Sequence, residues 1–336
     1  MNWLSILVPV YNVHPYLEEC LTSVIEQAPA DIQIVVLDDC STDGSWELMQ
    51  TLALRWPGRL QLLQHENNKG LSAARNSMIE AATGDYLWFL DSDDKILPGA
   101  IDHLQKIVSA HTPDIVLCDF SVWRARPRLK HRLRGEAHRR SFQGPAEQLV
   151  EDQGVLLSGL LSTGQMHAWS KVSKRSLWNQ SLRFPPDRYF EDLMCMPQLA
   201  LRCKNFYYCN RPWVAYRQRT TSILSNMTLS KASDQSAALL EFSRDLRRSP
   251  LHANDTVNLA LSQQCARNFI AGIRFLKHHR NTLPPEKVTQ CVDQFRDDFI
   301  QASPYSFRDL INIYIRRGWW LRAAKLYRFM HWNPNF

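Results

Sequence analysis

The sequence predicts an α/β fold: a mostly parallel, Rossmann-like sheet with helices on both faces, followed by a C-terminal helical region. Three observations lead there. Short apolar runs alternate with helical patterns through the first third of the 336 residues, the loops after those runs are strongly acidic, and from about Leu224 the pattern turns helical.

The first run, Ser5–Val10, precedes a helical pattern over Pro15–Gln27, a second run at Ile32–Leu37 and a helix from about Asp43 to Trp56. Gln61–Gln64, a helix over Ser72–Ala82 and the run Tyr86–Leu90 continue the series. Right-handed crossovers bring the loops after successive strands to one edge, where such sheets bind ligands. Residues 111–120 read as a further strand entered through Pro113. A basic stretch follows, with Arg124, Arg126, Arg128, Lys130, Arg132, Arg134, Arg139 and Arg140 spaced largely at alternate positions, as in an edge ribbon or a mobile loop. Helices are expected over Ser233–Leu246, Thr256–His278, Pro285–Ile300 and Phe307–His331, with Pro284, Pro285 and Pro304 as breakers. The organisation is a first unit over 1–225, its halves 1–120 and 121–225, and a helical unit over 226–336.

A hydrophobic content of 45% with 12 Gly and 17 Pro excludes disordered, collagen-like and low-complexity classes. Charge is divided unevenly. Residues 1–120 hold six basic against 17 acidic side chains, net −11, and residues 121–336 hold 34 against 16, net +18. The basic half suits an anionic partner. Eight cysteines without a Cys-x-x-Cys pair, and no leader before the strand-like Trp3–Val10, suggest free thiols in a cytoplasmic protein. No apolar run approaches the roughly 18 residues that span a bilayer.

The acidic loops carry the chemistry. Asp91-Ser92-Asp93-Asp94 follows the strand Tyr86–Leu90, and carboxylates at alternate positions beyond a strand end suit a hard divalent ion; a solvated, helix-capping turn has the same appearance. Asp38-Asp39 ends the second strand, where a carboxylate can accept hydrogen bonds from a ribose or base, while Ser41 or Asp43 caps the next helix. Asp39-x-Ser41-x-Asp43-Gly44 imitates the start of a calcium loop, but its twelfth position is Gln50, so that reading fails. The histidines, His167 included, show no metal spacing.

Five ordered strings then make a specific pattern: Val8-Pro9-Val10-Tyr11-Asn12, Asp38 to Ser45, Asn68-Lys69-Gly70-Leu71-Ser72-Ala73-Ala74-Arg75-Asn76, Asp91-Ser92-Asp93-Asp94, and Glu191-Asp192. Over roughly the first 225 residues they closely resemble the family-2 glycosyltransferases of the bacterial surface-polysaccharide type. Cys40 departs from the small Gly or Asp more usual there.

The resemblance implies a GT-A fold and an inverting transfer from a nucleotide sugar, usually a UDP-sugar, assisted by Mn²⁺ or Mg²⁺. It implies that Pro9 and Tyr11 border the base, that Asp39 bonds the base or ribose, and that Arg75 lies beside the nucleotide. Asp91 would face the ribose and donor sugar, Asp93 would ligate the metal, and Asp192 would be the catalytic base. The chemistry asks for such groups: a departing diphosphate needs a cation, and an acceptor hydroxyl needs a carboxylate, worth about 10²–10⁴ in rate. Glu191 and Asp192 are also the first-turn acids that any helix starting there would favour.

Tyr216-Arg217-Gln218-Arg219-Thr220-Thr221-Ser222 resembles the loop that closes over the diphosphate, with Arg219 and Ser222 as donors, although an interdomain surface loop has the same composition. Trp169 and Lys171 resemble an acceptor-side segment, with Glu191 beside them; an indole can stack on a sugar face, although a Trp is more often plain core. The last helix places Trp319, Trp320, Ala323, Ala324, Leu326, Tyr327 and Met330 on one face, with Arg322, Lys325 and Arg328 off it. It suits either an anionic membrane surface, reached through 307–332 on the inner face of the cytoplasmic membrane, or packing on the protein.

The expected function is sugar transfer to a lipid-linked or surface glycan: lipopolysaccharide core, O-antigen or capsule. Two rivals fare worse. A sugar nucleotidyltransferase needs a Gly-rich loop after the first strand, where this chain has Pro9 to Pro15. A nucleic-acid-binding protein using 124–140 would bring a polyanion toward an acidic edge, so no nucleic acid is expected as a partner.

Overall fold

The computed structural model describes residues 2–218 and 226–334 except 125, 127, 128 and 180. In chain order the first elements are β1 (Leu4–Val10), α1 (His14–Ile25), β2 (Ile32–Asp38), α2 (Ser45–Arg55), β3 (Leu60–Gln64), α3 (Leu71–Ala81) and β4 (Tyr86–Phe89). Then come β5 (Lys95–Ile96), α4 (Ala100–His111), β6 (Ile115–Trp123), α5 (Leu129–Leu133), β7 (Leu149–Val150), α6 (Gln153–Thr163), β8 (Lys171–Lys174), α7 (Glu191–Ala200) and β9 (Phe206–Arg217). Helices α8 (Leu229–Ala237), α9 (Leu240–Arg248), α10 (Asp255–His279), α11 (Pro285–Ala302), α12 (Phe307–Arg316) and α13 (Trp320–Met330) complete the chain.

The sheet runs β3-β2-β1-β4-β8-β6-β9-β5, with β7 paired to β9. β1 is buried along its whole length because β2 and β4 flank it in parallel and helices cover both faces, which is why it reads as one apolar run. Alternation sorts its neighbours' side chains. Leu7, Val35, Leu37, Leu87 and Phe89 join a core shared with the C-terminal helices, whereas Ile6, Val8, Ile34, Val36 and Trp88 pack toward the other face. The C-terminal helices therefore close over one face of the sheet.

β8 decides where the site forms. It runs antiparallel to β4, with Trp88 opposite Val172, so the segment entering β8 arrives at the edge where β4 ends. The parallel ladders, longest between β6 and β9 and between β1 and β2, carry most of the pairing, as expected.

Two expectations change, and a third is resolved. The helix expected over Ser233–Leu246 is two helices, α8 and α9. The one expected over Phe307–His331 breaks at Gly318, whose φ of 72° is left-handed, with Trp319 N–H reaching back to the Tyr314 carbonyl at 2.8 Å. In the basic stretch, α5 precedes a return of the chain onto β6: Phe120 and Arg139 exchange backbone hydrogen bonds, and Arg124 pairs with Glu136 at 2.6 Å. All eight cysteines are unpaired, and among the described residues no helix is long and apolar enough to cross a membrane.

Candidate active site

The β1 and β2 tips are tied together by side chains. Asp43 Oδ2 accepts from His14 N–H at 2.9 Å and Oδ1 from Ser45 N–H at 3.0 Å, so one carboxylate caps the starts of both α1 and α2. Asn12, at a φ of 50°, receives Thr42 N–H on Oδ1 at 2.8 Å and donates its own N–H to Ser41 Oγ at 3.0 Å. These bonds fix Pro9, buried in β1, and leave the Tyr11 ring half exposed beside them.

Asp39 is buried and heavily engaged. Its Oδ1 meets His65 Nδ1 at 2.6 Å and Lys69 N–H at 2.9 Å, and its Oδ2 accepts from Gly70 N–H at 2.8 Å. Gly70 has a φ of 83°, a conformation that turns this amide toward the carboxylate and opens α3. The far nitrogen of His65 lies 2.9 Å from Ser77 Oγ. His65 is a partner that sequence reasoning missed; its position one residue beyond β3, on the same edge as Asp39, was the available signal.

Arg75 is the centre of the site. Only 1% exposed, its guanidinium donates from Nη1 to Asp192 Oδ1 at 2.8 Å and to Glu191 Oε1 at 3.0 Å, and from Nη2 to Asp91 Oδ1 at 3.1 Å. It lies 5.0 Å over the Phe184 ring. Asn76 holds Phe184 there, exchanging side-chain hydrogen bonds with its backbone N–H and carbonyl. Burial alone would favour losing the Arg75 charge, but the carboxylates of Asp192, Asp91 and Glu191 together hold its pKa above the ordinary value. Burial, and then the charge of Asp192, push Glu191 up to about 7.

Asp192 therefore stands at the start of α7 with one oxygen on Arg75 and the other accepting from Ala168 N–H at 3.1 Å. Phe190, at a φ of 61°, turns the chain into that helix. The segment carrying Ala168 is held from beneath. Lys171 is buried and its Nζ donates to the carbonyls of Gln165 and His167 at 2.9 and 2.8 Å and to Ser170 Oγ at 3.0 Å. Burial lowers its pKa to about 8.

Trp169 is buried as well. Its ring stacks on His167 at 4.6 Å and on Tyr216 at 5.6 Å, and its carbonyl accepts from Trp88 Nε1 at 2.9 Å. Burial, followed by the Lys171 charge, brings His167 down to about 4. Trp169 and Lys171 thus underlie the segment that touches Asp192, with no surface open to a sugar ring.

The Asp91–Asp94 turn closes with Asp94 N–H on the Asp91 carbonyl at 2.9 Å. Arg217 ties it to β9, donating its N–H to Asp94 Oδ1 at 2.7 Å and Nε–H to the Asp93 carbonyl at 2.8 Å. Asp94 Oδ2 is buried with no hydrogen-bond partner. Burial first, then the charges of Asp93 and Asp91, raise the Asp94 pKa well above the carboxylate range. A buried, unmatched carboxylate oxygen beside the half-exposed Asp91 and Asp93 is of the kind a hard divalent cation satisfies, so the residue types present suit Mn²⁺ or Mg²⁺. Arg219 and Ser222 lie outside the described residues.

The edge brings the carboxylates of Asp91, Glu191 and Asp192 together around the Arg75 guanidinium; carboxylates can hold a cation that stabilises a leaving group or take a proton from a nucleophile. Comparisons with known proteins bear on the family and the fold. Residues 5–157 match the family model described as Glycosyl transferase family 2. Glycosyltransferase GlyA of Streptococcus pneumoniae is 32% identical over 224 residues, 66% of this chain and 31% of that protein. TuaG of Bacillus subtilis, provisionally assigned to teichuronic acid biosynthesis, is 38% identical over 97 residues, 28% of this chain and 38% of that protein. The chain thus spans about a third of the length of these two relatives. The crystal structure of Staphylococcus aureus TarS residues 1–349 with UDP-GlcNAc superposes with a TM-score of 0.70 at 20% identity, covering 98% of this chain and 90% of that one. With its ordered acidic tips, matching profile and GT-A architecture, the chain belongs to glycosyl transferase family 2.

Proposed function

We propose that this chain transfers a sugar, with inversion, from a UDP-sugar to a hydroxyl of a surface or lipid-linked glycan. The observation that carries the reading is Arg75 bridging Asp91 and Asp192, because it brings the donor-side turn and the candidate base within reach of one bound sugar. In this reading Pro9 and Tyr11 border the base, and Asp39, oriented by His65 and the Gly70 amide, meets the base or ribose. Arg219 and Ser222 contribute hydrogen bonds to the diphosphate.

Asp93, with Asp91 and Asp94 beside it, would hold Mn²⁺ or Mg²⁺, which supplies charge stabilisation for the departing diphosphate. The acceptor oxygen attacks the anomeric carbon from the face opposite the nucleotide; its proton passes to Asp192 as the sugar–phosphate bond breaks and UDP departs. Arg75 keeps Asp192 aimed. Glu191 borders the acceptor, and the Trp169–Lys171 segment orients the base through Ala168 N–H.

UDP as the carrier is supported by TarS, whose structure holds UDP-GlcNAc, and a surface glycan by TuaG. We assign the acceptor end to the inner face of the cytoplasmic membrane. The docking face of α13 is Ala323 and Leu326, while its opposite face exposes Trp320 at 62% and Leu321 at 88%, with Lys325 and Arg328 among them. The apolar stripe expected from the sequence is thus divided between core and solvent, and the solvent half has the composition of an anionic lipid interface.

Turnover of a panel of UDP-, GDP- and TDP-sugars with Mn²⁺ and glycolipid extracts tests the reading. UDP release that depends on both a single UDP-sugar and an acceptor is expected. Release from only a GDP- or TDP-sugar would overturn the donor assignment.

A further inference from the structure

Away from the carboxylate edge, His103 of α4, Cys209 of β9 and Glu147 of the segment before β7 place one ligand atom each within 4.8 Å of one another. We propose that these three side chains form a second metal site, selective for a soft or borderline divalent ion of the zinc class. Cys209 lies eight residues before Arg217, the β9 residue that holds the Asp91–Asp94 turn, so this site is separate from that turn and does not rest on the proposed reaction.

Distances decide the fit. Bond lengths of about 2.3 Å to sulfur and about 2.0–2.1 Å to imidazole nitrogen, at a tetrahedral angle, require S and N about 3.5 Å apart. Cys209 Sγ and His103 Nδ1 are 3.7 Å apart. The carboxylate has to move by no more than about 1.5 Å on the same bond-length argument, and Glu147 is exposed and at the end of a flexible side chain.

The surroundings orient the set. Asn210 N–H donates to Glu147 Oε1 at 3.2 Å, Tyr207 OH donates to Oε2 at 3.4 Å, and Glu147 N–H is anchored on the Tyr208 carbonyl at 2.8 Å. Glu147 adopts a left-handed φ of 55°. The His103 ring is fixed edge-on to Trp213 at 5.6 Å. Partners of this kind hold a ligand carboxylate and imidazole in place.

Charge explains the preference for a thiophilic ion. Arg211 and Lys106 lie near enough to act on His103, so a bare excess of positive charge is disfavoured. A dication bound by one thiolate, one carboxylate and a neutral imidazole makes a neutral complex, because binding releases the Cys209 thiol proton to solvent. Mg²⁺ or Ca²⁺, which do not displace that proton, would leave the site positive. A fourth position remains for water. The ion would clip α4, the segment before β7 and β9 together at the sheet's edge.

Titration of the full, chelator-stripped chain with Co²⁺ tests this, since only a thiolate ligand gives near-ultraviolet sulfur-to-cobalt charge transfer. The expected result is one equivalent of that absorption, displaced by Zn²⁺, lost in Cys209→Ser and retained in Asp93→Ala. Should Cys209→Ser fold poorly, His103→Gln supplies the second readout, weakening Co²⁺ affinity at least about tenfold. Absence of charge transfer in the parent chain, its persistence in Cys209→Ser, or unchanged affinity in His103→Gln each overturns the site.

Discussion

Arg75 Nη1 lies 2.8 Å from Asp192 Oδ1 while the other terminal nitrogen of the same guanidinium holds Asp91 Oδ1 at 3.1 Å. One fully buried cation therefore fixes the spacing between two loops that are far apart in the chain. A lysine offers a single point charge where this arrangement uses a planar fork. Arg75→Lys is expected to leave the carboxylates of Asp91, Glu191 and Asp192 under-compensated. Removing a partner from a fully buried network costs about 3–5 kcal/mol; partial exposure of the carboxylates here lowers the expectation to about 2 kcal/mol. Urea denaturation checks it, and an unchanged midpoint would show that Arg75 does not organise the edge.

Asp192→Asn preserves size and still accepts a hydrogen bond from Ala168 N–H, but it cannot take a proton. Turnover is expected to fall by about 10²–10⁴ with little change in donor affinity. Steady-state kinetics paired with donor-binding calorimetry separates the two quantities. Full turnover in the variant would move the base elsewhere.

Glu191 titrates at about 7 in the folded chain against an ordinary 4.5, because burial and Asp192 both resist its charge. The folded state therefore binds the extra proton between those values. The contribution is fully present below about pH 4.5 and lost as pH rises through about 7. The stability of the parent chain should decline across that window more steeply than that of Glu191→Gln, which has nothing to ionise there. Denaturation midpoints at pH 5 and 8 supply the comparison; parallel changes in both proteins would place the titration on another group.

The edge was legible because its chemistry is local: Asp39, Asp91 and Asp93 each follow an apolar run whose strand identity is unambiguous. What the sequence did not convey was pairing across long separations. Asp192 meets Arg75 only because β8 returns antiparallel to β4 and α7 follows it, and nothing in residues 75–192 announces that crossover. His65 was overlooked for the same reason, since an isolated histidine acquires meaning from Asp39 and Ser77 on neighbouring elements. For Trp169 the sequence leaves an acceptor-side ring and plain core both open, and stacking on His167 and Tyr216 in a buried position gives the second. Gly318 was present in the sequence, but continuous amphipathic periodicity over 307–331 masked the break it makes.

The Asp91–Asp94 turn predicts a metal dependence. Asp94 Oδ2 is buried with no hydrogen-bond partner, and the charges of Asp93 and Asp91 act against ionisation of that carboxyl. Donor affinity measured by calorimetry should rise with Mn²⁺ in the parent chain and lose that dependence in Asp93→Ala. Equal donor affinity with and without Mn²⁺ in the parent chain would remove the cation from donor binding.

The outward face of α13 predicts a lipid dependence that separates its two physical contributions. Trp320 and Leu321 supply apolar area, and fully burying such side chains yields about 1.5–3 kcal/mol each, less at an interface. Arg316, Arg317, Lys325 and Arg328 supply attraction to an anionic leaflet worth about 1 kcal/mol per basic residue near the surface. Trp320→Ser with Leu321→Ser should lower cosedimentation with phosphatidylglycerol-containing vesicles by about tenfold or more without altering the thermal midpoint, because the helix docks through Ala323 and Leu326 instead. Raising salt should weaken parent-chain binding further, since the electrostatic part is screened. If parent and variant partition equally, or if neutral vesicles bind the parent as well as anionic ones do, this face has no role at the membrane and its apolar side chains await a different partner.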